Sequence, residues 1–468
     1  MLGLLMACTT VPSGAVEPAR APVDLALTDV VIVDVALGRV GDPQTVLIAG
    51  GRIAAIEAGP ARGIPASAQR VDGRGRFLVP GLVDMHVHLF NNASGRPPND
   101  WAFPLFLANG VTAVREMSAN AESTAQAARW NQSVLAGELA APRILAVGIP
   151  VRGPSPPDAA RQVAEARSAG AGFIKVFSDV AEPAWQAIRD AACAQALPVV
   201  GHVPAAMSLL AAARDGLRGN EHLTQAYEAC STVEGELLAE RRNLDGDRLV
   251  ALRDAQETQA LEAFDQATCD RVARALATTD QVQVPTMVLP HAETALGAQA
   301  FERDPRWCHL REDERGRWQR ITESLPPDFA SLARERWRVT KAIVSSFHRA
   351  GVPLLAGTDA PMPGVYPGFA LQDELGLLVD AGLSPAEALR AATLAPARFL
   401  GLAGEIGSVE VGRRADLVLL DANPLQDIRN TRRIHAVLLG GRLLRRADLD
   451  EPLRAAAAAC GGNASHGP

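Results

Sequence analysis

The sequence predicts an α/β protein, a (β/α)8 TIM barrel joined to a small β-sandwich domain built from both chain ends. Three observations carry this. Strand–turn–strand patterns stand near each end of the chain, short apolar strands alternate with amphipathic helical stretches between them, and polar residues recur at the ends of those strands. A chain of 468 residues has ample material for such a core, and a hydrophobic share of 48% with a charged share of 21% suits a globular protein.

Taken in order, residues 1–24 read as a leader and linker. Leu5-Met6-Ala7-Cys8 resembles a bacterial lipobox, although no Arg or Lys precedes it, and residues 9–22 are rich in Pro and Ala. This predicts a periplasmic or membrane-anchored lipoprotein, with a cytoplasmic protein as the alternative. Residues 25–35 and 45–57 read as strands separated by Gly-containing turns, with Gly50-Gly51 fitting a tight hairpin. Residues 415–420 and 436–442 repeat the pattern around Gly440-Gly441, so 25–80 and 404–447 form the composite sandwich.

The barrel spans 81–403, with strands near 82–88, 112–116, 144–148, 172–177, 198–202, 218–222, 281–286 and 353–359. Helices are expected at 158–169, 184–196 and 385–400, the last with Ser384 as N-cap and Pro385 in its first turn. The stretch from His222 to Asp359 is about twice what two βα units need, so residues 225–335 are expected to form a lid over the barrel mouth. Residues 448–468 read as a C-terminal tail.

Composition narrows the chemistry. A net charge of −7 gives nucleic-acid binding no electrostatic support, and no apolar run is long enough to span a membrane. Any membrane association would run through the lipid on Cys8. The six cysteines lack CxxC spacing, which argues against a zinc ribbon. If the chain is exported, one disulfide is expected among the lid cysteines Cys230, Cys269 and Cys308, as Cys230–Cys308. Of the 46 basic residues only Lys175 and Lys341 are lysines, so each has survived a strong preference for arginine.

His86 and His88 close the first barrel strand, two residues apart and so on one side of it. At the C-terminal end of a barrel strand that side faces the mouth. Such a pair binds a metal about as often as it is structural. Lys175 closes the fourth strand, His202 the fifth, Glu221-His222 the sixth and Asp359 the eighth. An ammonium at the end of an apolar strand must be paired or neutralised. Lys175 is therefore either salt-bridged to Asp359 or Glu116, or a neutral amine able to take up carbon dioxide as a carbamate, which arginine cannot do.

These residues, in the motifs Pro80-Gly81-Leu82-Val83-Asp84-Met85-His86-Val87-His88, Phe173-Ile174-Lys175-Val176, Gly201-His202-Val203-Pro204, Glu221-His222-Leu223 and Gly357-Thr358-Asp359-Ala360-Pro361, resemble the amidohydrolase superfamily. The match is to its imidazolonepropionase-related, prolidase-like branch, and it continues through 382–389 and 407–417 to cover about 25–445. The resemblance implies two divalent metal ions, with Zn2+ the best fit and Mn2+ or Fe2+ also suited. His86, His88 and Asp359 would hold the inner ion, His202 and His222 the outer one, and carbamylated Lys175 would bridge them. A shared hydroxide would attack an amide or dipeptide carbonyl while Asp359 carries the proton to the leaving nitrogen. Arg115, His291 and Tyr227 are the candidates for substrate contact.

Two departures steer this reading. Arg115-Glu116 stands where many relatives of this family have Arg-Asp, which bears on substrate binding, and the His-x-x-Glu element of its deaminases is absent at His202-Val203-Pro204-Ala205. True imidazolonepropionases lack the bridging lysine. A small-molecule amide or peptide is thus the expected substrate, with a lactone or phosphotriester as the alternative. An inactive scaffold relative is a third reading, weakened because none of the six ligand positions is lost. Homo-oligomerisation is left open.

Overall fold

The structure is a computed structural model that describes residues 23–59, 63–90, 95–153, 155–296 and 303–463. The Cys8 motif and most of the linker lie outside the described residues. The chain opens with β1 (Leu25–Asp34), β2 (Arg39–Ala49), β3 (Arg52–Ala58), β4 (Gln69–Asp72) and β5 (Phe77–Pro80). The barrel strands follow: β6 (Leu82–Val87), β7 (Val111–Glu116), β8 (Arg143–Pro150), β9 (Phe173–Val176), β10 (Val199–Gly201), β11 (Leu217–Glu221) and β12 (Val282–Val284). The chain returns through β13 (Leu417–Leu420), β14 (Ile434–Leu439) and β15 (Arg442–Arg445).

The two ends form one hydrogen-bonded sheet of eight strands, in the order β15-β14-β13-β5-β1-β2-β3 with β4 beside β1. Both Gly-Gly pairs sit at positive φ (Gly50 56°, Gly51 74°, Gly440 57°, Gly441 80°), which L side chains rarely adopt and which tight hairpins require. Alternation divides the sheet's faces. Leu417 and Leu419 of β13 pack in the sheet's own core with Leu25, Ile48 and Leu438, whereas Val418 and Leu420 point the other way into the barrel's core. A buried ion pair, Arg143 Nε to Asp416 Oδ2 at 2.7 Å, ties the two bodies together.

Strands β6 to β12 run parallel in sequence order. The eighth stave, 353–359, closes the ring without becoming a regular strand. Leu355 donates to Gln283 O at 2.9 Å, Met85 to Ala356 O at 3.0 Å and Asp359 to His86 O at 2.8 Å. The irregularity has a local cause. A Cβ at Gly357 would lie 2.6 Å from Val284 Cγ1 and 3.0 Å from His86 N, and Asp359 has φ 66°, so the chain bends where a straight strand would continue.

Helices Pro156–Ser168 and Glu182–Ala194 cover the barrel. The single helix expected over 385–400 is two, Pro385–Ala391 and Leu394–Phe399. Pro396 explains the break, because a continuous helix would need its missing N–H and would press its ring on the carbonyl four residues back. Ser384 and Glu387 do form a capping box at the first of the two.

The stretch expected to form a lid, 225–335, holds a set of helices, chiefly Glu234–Arg241, Gly246–Glu262 and Gln266–Leu276 before β12, then Val288–Leu296, Glu312–Glu323 and the start of Phe329–Ala350 after it. The expected Cys230–Cys308 disulfide is not formed. Cys230 pairs with Cys269 and Cys308 with Cys460. Asp265 N donates to Cys230 O at 2.9 Å, which brings the start of helix Gln266–Leu276 beside Cys230. The expected C-terminal tail is instead a helix, Arg446–Asn463, favoured by its run of alanines and joined to the lid through Cys460. No helix among the described residues is long and apolar enough to cross a membrane.

Candidate metal centre

Asp84 and His86, both in β6, are fully buried. Asp84 is fixed from the closing stave, accepting Thr358 Oγ1–H at 2.7 Å. His86 lies above it with Nδ1 2.8 Å from Glu221 Oε2 and Nε2 3.2 Å from Asp359 Oδ1. His88, just past the end of β6, brings Nε2 to 2.9 Å from the same Asp359 oxygen. The next histidines enter from the far side of the ring. His222 stands 4.4 Å from His86 between ring centroids and His202 stands 5.3 Å from His222, edge to face. His222 has φ 59°, a turn conformation that swings its ring off the end of β11, and its Nδ1 is 2.9 Å from Thr286 Oγ1.

The environment sets the charge of each group. Burial works against the Asp359 carboxylate, but the imidazoles of His222 and His86 and the hydrogen bond from His88 outweigh it and hold the group well below the usual carboxylate range. Burial pulls His222 down to about 3 and His202 well below its ordinary value, so both rings are neutral and carry lone pairs at pH 7. Burial likewise lowers Lys175 to about 8, against the opposing pull of Glu221 and Asp359. No carboxylate among the described residues lies within 4.0 Å of the Lys175 amine, so neither Asp359 nor Glu116 makes the salt bridge the sequence left open. Its Nζ instead sits 5.2 Å from the Phe177 ring centroid.

His86 supplies the test of metal fit. Its Nδ1 is committed to Glu221, so a neutral ring carries its proton there and presents a bare lone pair at Nε2. That nitrogen is buried, has no hydrogen-bond partner and faces a carboxylate oxygen. An Nε2 without a hydrogen-bond partner beside a carboxylate oxygen is a geometry that a bound cation would satisfy. Ligand atoms of His86, His222 and Asp359 all fall within 4.8 Å of one another, and mixed nitrogen and oxygen donors suit a divalent transition ion.

A cavity of about 660 Å³ opens above His202 and His222, walled by lid residues that include Tyr227, Arg253, Glu257, Glu293 and Arg336. Arg336 joins three lid elements, with Nε 2.6 Å from Glu257 and a second ion pair to Glu293. Of the three residues expected to touch substrate, only Tyr227 lines this cavity, and its hydroxyl is 2.8 Å from Thr340 Oγ1. His291 faces a separate cleft with Arg306 and Asp373, because helix Val288–Leu296 turns Leu289 and Glu293 to the cavity and His291 to the opposite side. Arg115 is fully buried below the mouth, with its guanidinium on Glu221 and the Met85 carbonyl, out of a substrate's reach.

Glu221, Thr286 and Arg336 had no assigned role from sequence. For Glu221 a signal existed, since a carboxylate beside a ligand-type histidine at a strand end is placed to orient a neighbouring ring. Nothing local marks the other two, whose partners are 64 residues away in one case and 43 and 79 in the other.

The sequence model of the amidohydrolase family matches residues 308–444. Over 407 residues the chain is 30% identical to the imidazolonepropionase of Sphingopyxis alaskensis, a match covering 81% of this chain and 87% of that protein. It is 40% identical over 95 residues to the imidazolonepropionase of Erwinia tasmaniensis, 20% of this chain and 22% of that one. Among solved structures, bottromycin amidohydrolase superposes with a TM-score of 0.71 at 25% identity, covering 93% of this chain and 90% of that one. A Xaa-Pro dipeptidase superposes at 0.63 over 90% and 99% of the two chains, and at 19% identity that likeness concerns the fold alone.

Proposed function

From the premise that this chain belongs to the amidohydrolase family, we propose that it is a metal-dependent hydrolase of the C–N bond in small amides, with dipeptides or N-acyl amino acids as the substrate class. The observation that carries this is the bare, buried Nε2 of His86 facing Asp359. His86, His88 and Asp359 would hold one divalent ion, His202 and His222 a second, and Lys175 as a carbamate would lie between them. When bound, such ions supply an acidified water and a Lewis acid for the carbonyl.

The chain's own residues do the rest. Asp359, held ionised at the junction of both histidine pairs, takes the proton of the attacking water and delivers it to the departing nitrogen. His202 and His222 stay neutral, and the lid closes the cavity around the substrate. The lowered pKa of Lys175, about 8, and its lack of a carboxylate within 4.0 Å among the described residues make the neutral amine that reacts with carbon dioxide more accessible than in a free lysine. The cavity wall carries charges of both signs, Arg253 and Arg336 with Asp254, Glu257 and Glu293, and so suits a small polar, charged substrate. The two disulfides support an oxidising compartment for the mature chain.

The test is a screen of zinc-loaded protein against X-Pro, X-Arg and N-acyl amino acid libraries, with metal analysis of the same sample. Close to two ions per chain and reversible loss of amide hydrolysis on chelation are expected. Full activity in a metal-free sample would overturn the proposal.

A further inference from the structure

Arg115 belongs to neither the cavity wall nor the set of ligand-type residues, yet it is among the largest fully buried side chains of the molecule. It lies in β7 two residues after Ala113, which packs with Val83, Met85 and Val284 inside the barrel, so strand alternation turns its side chain into the barrel interior. The guanidinium lies near the Phe173 and Phe399 rings, 5.4 and 5.8 Å from their centroids. Its Nε donates to Met85 O at 2.6 Å and its Nη2 to Glu221 Oε1 at 2.7 Å. Glu221 is fully buried, and its other oxygen is the one 2.8 Å from His86 Nδ1.

One planar cation thus grips His86 twice, at the backbone immediately before it and through the carboxylate that faces its ring. Both contacts use the fixed fork of a guanidinium, which a lysine ammonium cannot reproduce at two places at once. A buried ion pair of this kind is a poor way to gain stability, since desolvating both charges offsets most of their attraction and an apolar pair of similar volume does as well. Its geometry is better accounted for by aim. The carboxylate fixes which ring nitrogen of His86 carries the proton, and so leaves Nε2 bare toward Asp359.

We infer that Arg115 is a positioning residue for the metal centre, acting through Glu221 to hold His86 in the ring orientation and tautomer that bind the ion. This rests on the metal-dependent reading and goes beyond it, because it assigns the work to a residue that touches neither ion nor substrate. Without Arg115 the Glu221 carboxylate loses its guanidinium partner and is freer to turn from the ring. The site then keeps every ligand and loses its aim.

The experiment is a zinc-affinity cycle by chelator competition on the full chain, with wild type, Arg115→Met, Arg115→Lys, Glu221→Gln and the Arg115→Met/Glu221→Gln double variant. Methionine fills the space between the two phenylalanine rings, so Arg115→Met is expected to fold and to bind zinc about 10- to 100-fold more weakly. Arg115→Lys should fall between it and wild type. The double variant should be no worse than the weaker single one, because both substitutions cut the same linkage. The d–d spectrum of cobalt-substituted protein should shift in Arg115→Met, which a purely structural role would not cause.

Wild-type zinc affinity in Arg115→Met, whatever its melting temperature, overturns the inference and leaves the metal reading intact. Fully additive losses in the cycle overturn the linkage through Glu221. A wild-type chain that binds no zinc overturns the metal reading itself. If Arg115→Met fails to fold, the comparison of Arg115→Lys with Glu221→Gln decides the matter by the same criterion.

Discussion

His86 and His222 lie 4.4 Å apart between ring centroids, yet they are held in different ways. His86 is fully buried, with a carboxylate on one nitrogen, an arginine behind that carboxylate, and strand hydrogen bonds on its backbone. His222 sits on a left-handed turn, is held by the hydroxyl of Thr286, and opens on a cavity whose walls are lid helices. The floor of the site is a template set by the barrel. The rim can change with the lid while the floor stays fixed, which is how one scaffold accommodates many substrates.

The sharpest way to break this contrast is to move the proton acceptor. Asp359 belongs to the floor, and Asp359→Asn is nearly isosteric, so in protein loaded with excess metal turnover should fall by about 10²–10⁴-fold, and weaker metal binding at the lost carboxylate would deepen the loss. Single-turnover kinetics on metal-replete protein would measure it. Near-normal turnover would place the base on the rim, with Glu257 or Glu293 as the next groups to test.

Lys175 comes next, as the residue proposed to span both halves. Lys175→Ala and Lys175→Arg should each lose at least one ion per chain by elemental analysis, because neither can form a carbamate. Added formate or acetate should restore part of the metal and activity to the alanine variant alone. An arginine variant that keeps its metal and turnover would show that the lysine is structural.

Much of the floor is legible in the sequence because strands are periodic. Alternation alone puts His86 and His88 on one side of a strand, and the strand ends bring His202, His222 and Asp359 to the same mouth. What alternation does not carry is how deep along a strand a side chain ends up. Arg115 looks like a mouth residue from its place at a strand end, and it is fully buried below the mouth on Glu221 and the Met85 carbonyl. The lid is less legible because its helices are placed by tertiary pairing. Three lid cysteines gave a disulfide guess that Cys460, from a helix read as a tail, redirects. His291 lies on a helix whose two faces serve two cavities, and its distance from β12 does not say which it faces.

The rim itself can be tested through Arg336. Arg336→Ala leaves Glu257 and Glu293 facing one another without their shared cation, which should loosen the cavity wall. KM for the best amide substrate should rise about tenfold, with metal content unchanged. A variant that also loses metal would mean that the lid helps to hold the ions, and the division into floor and rim would have to be withdrawn.

The smallest expected effect separates the two halves by the sign of a pH dependence, measured on the chelated protein. On the floor, burial lowers the pKa of His88, but the hydrogen bond and charge of Asp359, with Glu116 beyond, raise it above its ordinary value. On the rim, burial dominates and takes His222 down to about 3. In the unfolded chain both titrate near 6.5, roughly the free-imidazole value. Between about 6.5 and about 3 the unfolded state therefore binds a proton on His222 that the folded state refuses, so stability falls as pH drops through that window. His88 acts in the opposite sense. Its contribution is fully present below the unfolded pKa and is lost as pH rises through the folded one. Melting temperatures of chelated protein between pH 8 and pH 5 should then separate two variants. His222→Gln should flatten the decline toward acid and His88→Gln should steepen it, each by about 2–4 °C at pH 5. Changes of the same sign in both would mean that the two rings share one environment, and that floor and rim differ in shape but not in electrostatics.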